Sequence, residues 1–179
     1  MNFNRIETDL GTIHFCEGTK PSGLSKRDFQ KKMIEALVHE AGYASYSIKH
    51  KTSGQPYFEG ENMPYLSISH SENYATIYIG TSPLGVDIQT FHTRITKGKD
   101  YFINIDEEQF QSNLELHIIW AVKEAIYKAL EGNLNDARQE ITINAIDDNT
   151  SIVQAKVKNE YKQFGYALTA EFVMAFSLD

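Results

Sequence analysis

Apolar residues recur along this chain with two periods, and the switches between them mark its elements. Residues 3 to 16 alternate loosely (Phe3, Ile6, Leu10, Ile13, Phe15), which predicts one or two short strands around a turn at Asp9-Leu10-Gly11. In "SGLSKRDFQKKMIEALVHEAG" the period lengthens. Phe29, Met33, Ala36, Leu37 and Ala41 share one helical face, Ser25 stands at the N-cap with Asp28 at the capping-box position, and Gly42 is placed to stop the helix. "YSIKH" (46 to 50) reads as a short strand before a Ser53-Gly54-Gln55-Pro56 turn. "LSISH" (66 to 70), "YATIYIG" (74 to 80) and "LGVDIQ" (84 to 89) are β-rich runs broken by Ser, Asn, Gly and Pro, which predicts a meander.

From 106 to 131 the helical period returns. Ile118, Ile119, Val122, Ile126, Ala129 and Leu130 form one stripe, ending near Gly132. "EITINAI", "SIVQAKV" and "YALTAEFVMAFSL" then revert to strands. The order is strand, helix, strands, twice over. It predicts an α+β fold of two halves, 1–84 and 85–179, each a long helix on an antiparallel sheet, forming one compact unit that meets near residues 80 to 90.

Composition narrows the partners. A chain of 179 residues with net charge −7 disfavours general binding to nucleic acid or anionic membrane, so an anionic ligand needs a local cluster of Lys, Arg and His. The single cysteine, Cys16, excludes an intrachain disulfide and a multi-cysteine zinc site. The start, MNFNRIETDLG, has no hydrophobic signal core, and no apolar run reaches bilayer length; a soluble cytoplasmic protein is the expectation.

Four features could carry chemistry. Asp87 is an acid inside an apolar β-forming stretch, costly to bury unless a cation receives it. Glu124 and Lys128, four apart, share a helix face with Trp120 one turn earlier, outside the apolar stripe. Alone they read as an ordinary surface pair; with Asp87 nearby, two carboxylates could hold one hard divalent cation, usually Mg²⁺. Ser69, His70 and Ser71 end a strand, where imidazole and hydroxyl donors could meet a phosphate; a histidine bonded to local backbone is the commoner outcome. No nucleophile-elbow motif accompanies them. Gly85, two residues before Asp87, reads either as a strand-entry turn or as a point where a ligand approaches the backbone. The other five histidines (14, 39, 50, 92, 117) show no ligand spacing, and "FHTRITKGK" (91 to 99) is a solvated loop or a basic patch.

Taken in order, Gly54-Gln55-Pro56, Ser69-His70-Ser71, Gly85-Val86-Asp87-Ile88-Gln89, and Trp120 followed by Lys123, Glu124 and Lys128 resemble the 4′-phosphopantetheinyl transferase superfamily, in its two-repeat, surfactin-synthetase-activating branch. The resemblance runs from about residue 54 to 134; the first 50 residues match only in general plan. It implies a pseudo-two-fold fold and transfer of the phosphopantetheine arm of coenzyme A to a serine of an acyl or peptidyl carrier protein, releasing 3′,5′-ADP. By carry-over, Asp87 and Glu124 would bind Mg²⁺, Lys128 would stabilise the leaving phosphate, and Ser69 and His70 would hold nucleotide-side phosphates. Lys123 would orient the helix or substrate, and Glu107 or Glu108 would help deprotonate the carrier serine. The paired halves imply a monomer.

Two positions depart from the family pattern. Gln55 replaces a lysine, removing positive charge from the expected coenzyme A site, and Gln89 replaces a glutamate that often serves as third metal ligand. An amide oxygen or a water could take that place. The 3′-phosphate has Lys20, Lys26, Arg27, Lys31 and Lys32 as candidates, and Arg94, Lys97 and Lys99 form a candidate docking patch for an acidic carrier. Two other functions stay open: a coenzyme A or carrier-protein binding module without catalysis, motivated by the two glutamines, and a Mg²⁺-dependent phosphohydrolase using the same acids.

Overall fold

The computed structural model describes residues 1–178. It is an α+β fold of antiparallel sheets with four helices. The first half contains β1 (Asn2–Glu7), β2 (Gly11–Glu17), α1 (Lys26–Glu40), a ribbon of β3 (Ile48–His50) and β4 (Pro56–Phe58), then β5 (Tyr65–Ser71) and β6 (Tyr74–Gly80). The second half contains β7 (Val86–Thr90), the short α2 (Ile95–Gly98), α3 (Asn113–Ala129), the short α4 (Ala137–Glu140), and β8 (Ile141–Asp147), β9 (Ile152–Val157), β10 (Glu160–Leu168) and β11 (Phe172–Ser177). The main sheets run β1-β2-β6-β5 and β7-β11-β10-β9-β8. Among the described residues no helix is long and apolar enough to cross a membrane.

Alternation along the central strands explains how the sheets stack. In β6, Ala75, Ile77 and Ile79 pack with Phe29, Met33 and Leu37 of α1, while Tyr74 and Tyr78 on the opposite face join Val86, Ile88, Met174 and Phe176 of the second sheet. In β11, Val173 and Ala175 turn to α3 and meet Ile118, Ile119, Val122 and Ile126. The layers are therefore helix, sheet, sheet, helix, with the central strands β6 and β11 burying both faces. A buried Leu or Ile contributes about 1.5–3 kcal/mol relative to an exposed one, so this central seam holds the halves as one unit.

Local chemistry sets the helix ends. Ser25 Oγ accepts from the Asp28 amide at 3.1 Å, but its hydroxyl donates back to the Asp28 carboxylate at 2.7 Å, so the reciprocal capping box does not form. Glutamate makes that box at α3, where Glu115 reaches the Ser112 amide at 2.9 Å and Ser112 Oγ takes the Glu115 amide. Gly42 ends α1 with φ +86°, left-handed backbone that glycine adopts without strain.

One expectation needs correction. The three-strand meander is a hairpin only, because β6 already has β2 on one edge and β5 on the other, leaving no edge for a third run. β7 instead joins the second sheet beside β11. The amphipathic helix read in "LELHIIWAVKEAIYKALEG" is α3, and before it residues Ile105–Glu107 form a 3-10 turn capped by Asn104.

Candidate active site at the junction of the sheets

The edge strands β5 and β7 meet through serine hydroxyls. Ser67, Ser69 and Ser71 alternate along β5, and their Oγ atoms accept the amides of Val86, Ile88 and Thr90 at 3.1, 3.2 and 3.1 Å. One row of hydroxyls thus satisfies amides that a partner strand would otherwise pair. Ser177 adds a fourth stitch, its Oγ accepting from the Gly85 amide at 3.0 Å. The "SISHS" run is therefore first a seam between the halves.

Gly85 brings α3 onto that seam. A Cβ at this position would lie 1.9 Å from the Ala125 carbonyl oxygen and 2.8 Å from the Ala129 nitrogen. Helix backbone, rather than a ligand or a turn, occupies the space its missing side chain leaves. The close approach sets the side chains of Glu124 and Lys128 against Asp87.

Asp87 is 3% exposed and accepts from three side-chain donors. Ser69 Oγ and Lys128 Nζ both donate to its Oδ1 at 2.7 Å, and Gln89 Nε2 donates to its Oδ2 at 2.7 Å. Lys128 also donates to the Val86 carbonyl at 3.0 Å. The surface Glu124–Lys128 pair does not form, because Lys128 crosses to Asp87. Glu124 is half-buried and accepts no hydrogen bond from any described residue. Burial raises its carboxyl pKa, the Asp87 charge adds to the rise, and Lys128 opposes it. An acid left unpartnered beside a second carboxylate is a site prepared for a cation or a proton.

Lys128, Ser69 and His70 border a cleft of about 970 Å³ between α1, the β3–β4 ribbon, β5 and the end of α3, whose lining also holds Asp28 and Glu35. A chamber of about 230 Å³ containing Glu124 shares Gly54, Pro56, Ile68 and Lys128 with it. Arg27 and Lys31 line the cleft, with His39, His50, His70 and Lys128. Of the cations considered for a terminal phosphate, Arg27 and Lys31 therefore face it. Lys26 is paired with Glu72 at 2.8 Å, Lys20 donates to the Leu24 carbonyl at 2.9 Å, and Lys32 lies outside the lining. Among the histidines set aside as scattered, His39 and His50 converge here with His70, a grouping made by α1, β3 and β5 that no spacing along the chain reveals. The His70 ring is kept below its ordinary pKa, first by lost hydration and then by the Lys128 charge, with Asp87 partly opposing.

Gln55 lines the smaller chamber, and its buried Oε1 has no hydrogen-bond partner among the described residues. Where the family pattern has a cation, this chain presents an acceptor.

Other candidates stand elsewhere. Glu107 is wholly enclosed, its Oε1 accepting the Ile143 amide at 2.6 Å and its Oε2 accepting Lys123 Nζ at 2.6 Å and the Asn104 amide at 2.9 Å. It cannot meet a serine of another protein, so its assignment as a base is withdrawn. Glu108 is exposed in the same segment and lines neither chamber of the cleft. Lys123, whose pKa burial lowers against the pull of Glu107, also grips the Phe102 carbonyl at 2.6 Å. It orients the 99–110 segment on α3. That segment continues from the exposed Arg94 and Lys97 and carries Tyr101 and Ile105, 85% and 78% exposed. Lys99 is spent on Gln111 at 3.0 Å.

Among the described residues no group of three or more His, Cys, Asp or Glu converges as a metal cluster. Gln89 turns its amide nitrogen to Asp87 Oδ2 and, in this arrangement, steadies that carboxylate. The donor set is thus two carboxylates: Glu124, which lines the smaller chamber, and Asp87, buried behind Lys128, which lines both chambers. That set fits a hard cation whose remaining ligands are water and phosphate oxygens. Compared with known proteins, the chain matches no family model and no curated protein.

Proposed function

We propose that the protein is a 4′-phosphopantetheinyl transferase that moves the phosphopantetheine arm of coenzyme A to a serine of an apo acyl or peptidyl carrier protein. One observation carries this reading: the two carboxylates and Lys128 meet at the junction of the halves, at the end of a cleft lined by Arg27, Lys31 and three histidines. The winding of the halves adds support. β2, α1, β5 and β6 form one strand–helix–hairpin unit, and β7, α3, β10 and β11 form another, each with its last strand in the middle (β2-β6-β5, β7-β11-β10). That matching strand order supports a pseudo-two-fold reading of the kind the sequence resemblance implies; in this reading the protein acts as a monomer in the cytoplasm on coenzyme A.

In this reading the carrier serine oxygen bonds to the phosphorus attached to the pantetheine arm. The bond from that phosphorus to the oxygen of the 3′,5′-ADP moiety breaks, that oxygen leaves on 3′,5′-ADP, and the serine proton passes to solvent water. Asp87 and Glu124 would hold Mg²⁺, which when bound supplies charge neutralisation at the diphosphate and polarises the phosphorus. Lys128 stands where negative charge grows on the leaving phosphate, and a positioned cation there favours the transition state over the ground state. Arg27 and Lys31 suit the terminal phosphate at the far end of the cleft, His70 the diphosphate.

The test is incubation with coenzyme A, Mg²⁺ and apo carrier proteins, followed by intact mass. The carrier should gain one phosphopantetheine unit with wild-type protein and none with Asp87→Ala. Coenzyme A binding without transfer across several carriers would favour the binding module, the reading that the Gln89–Asp87 hydrogen bond supports. Release of 3′,5′-ADP with no carrier present would favour the phosphohydrolase.

A further inference from the structure

We infer that Lys128 is the resident counter-ion of the metal site and that it couples Mg²⁺ binding to diphosphate binding. This rests on the two-acid Mg²⁺ reading above, and it assigns Lys128 a role before any chemistry begins. Both lone pairs of Asp87 Oδ1 are taken, one by the Ser69 hydroxyl and one by Lys128 Nζ, each at 2.7 Å. Gln89 holds Oδ2. Ser69 is buried and also receives the Ile88 amide, and Gln89 is held beside its own strand neighbour. Lys128 is the mobile member. Its side chain is 26% exposed, stands on a flexible stem and lines the cleft as well as the acid pair. A cation that takes Oδ1 must displace the ammonium, and one that takes the open lone pair of Oδ2 must share the site with its charge. A diphosphate arriving in the cleft offers that ammonium an alternative partner, so Asp87 is freed as phosphate oxygens arrive to complete the metal's shell. The coupling is reciprocal by thermodynamic necessity: whatever the diphosphate adds to Mg²⁺ affinity, Mg²⁺ adds to diphosphate affinity.

Titration calorimetry with Mg²⁺ alone, then with Mg²⁺ in the presence of saturating coenzyme A, reads this directly and needs no turnover. Lys128→Met removes the counter-ion, and its ligand-free Mg²⁺ affinity should rise about tenfold over wild type, the scale of one ion pair at this exposure. The enhancement by coenzyme A should shrink by a similar factor. Arg27→Gln removes a cleft cation that does not touch Asp87 and should change ligand-free Mg²⁺ affinity less than about twofold. Lys128→Arg keeps the charge and binds carboxylate more firmly, so its ligand-free affinity should stay at or below wild type; it also serves if the methionine variant does not fold. Equal ligand-free affinities in wild type and Lys128→Met overturn the inference and leave the transferase reading standing. So does a rise in Arg27→Gln equal to that in Lys128→Met. No Mg²⁺ binding by any of the proteins, even with coenzyme A, overturns the metal site itself.

Discussion

Gly85→Ala tests the packing on which the site depends. The added methyl carbon would fall 1.9 Å from the Ala125 carbonyl oxygen, whereas real contacts of this kind begin near 3.0 Å. Strand and helix must therefore separate by more than an ångström. The nearest atoms are main-chain atoms of α3, so no side chain can swing aside to absorb the change. Overpacking of this sort costs about 1–3 kcal/mol, and in a chain of this size each kcal/mol lowers Tm by about 2–4 °C. A Tm drop of about 2–12 °C is expected by thermal unfolding. The site should suffer more than stability does, because α3 carries Glu124 and Lys128 while Asp87 stays with β7. An ångström at the 2.7 Å contact between Lys128 and Asp87 can cost about 10²-fold in rate. Gly98→Ala is the control, since its methyl would meet nothing nearer than a Tyr101 ring carbon at 4.0 Å. A Gly85→Ala protein that melts within 1 °C of wild type and transfers at the wild-type rate, limits set at about the error of such assays, would refute the close-approach explanation of this glycine.

Lys123→Met should destabilise by about 3–5 kcal/mol, because it strands the Glu107 carboxylate in the core; adding Glu107→Gln should restore much of the loss, and strictly additive costs in denaturant titrations would argue against a buried pair. His117 is enclosed, with Nδ1 donating to the Asn113 carbonyl at 2.7 Å and Nε2 accepting the His92 amide at 3.1 Å, and burial lowers its pKa. Below about pH 6.5 the unfolded chain binds a proton that the folded ring refuses, so stability should fall with pH from there, by up to about 1.4 kcal/mol per unit for this residue. His117→Gln should flatten that slope in urea titrations from pH 8 to 5; an unchanged slope would clear His117. Glu124, its pKa raised, acts in the opposite direction, so Glu124→Gln should raise Tm near neutral pH while abolishing transfer, and a lower Tm would contradict its being an unpaired acid. Reversing charge at Arg94 and Lys97, or truncating Tyr101 and Ile105, should raise KM for an acidic carrier more than for coenzyme A; equal increases would remove this segment from carrier docking.

Several parts of the molecule were legible along the chain because they depend on neighbours in sequence. Period-two and period-3.6 patterning set the strands and both long helices, and Ser25 and Gly42 set the ends of α1 through bonds spanning a few residues. Asp87, Glu124 and Lys128 stood out because an acid in an apolar strand and a Glu–Lys pair off the apolar stripe are locally anomalous. Other features needed the tertiary structure. β7 changes sheets because both edges of β6 are taken, a fact about pairing rather than propensity. The serines of "SISHS" face β7 amides rather than a phosphate, since only stacking of the sheets brings those groups together. Glu107 and Glu108 look alike in sequence, and burial alone made the first a core ion-pair partner. His39 and His50 joined the cleft through folding of α1 and β3 around it. Which cation holds Asp87, and which carboxylate is left without a partner, followed from one missing methyl group at Gly85 that lets a helix lie against a strand.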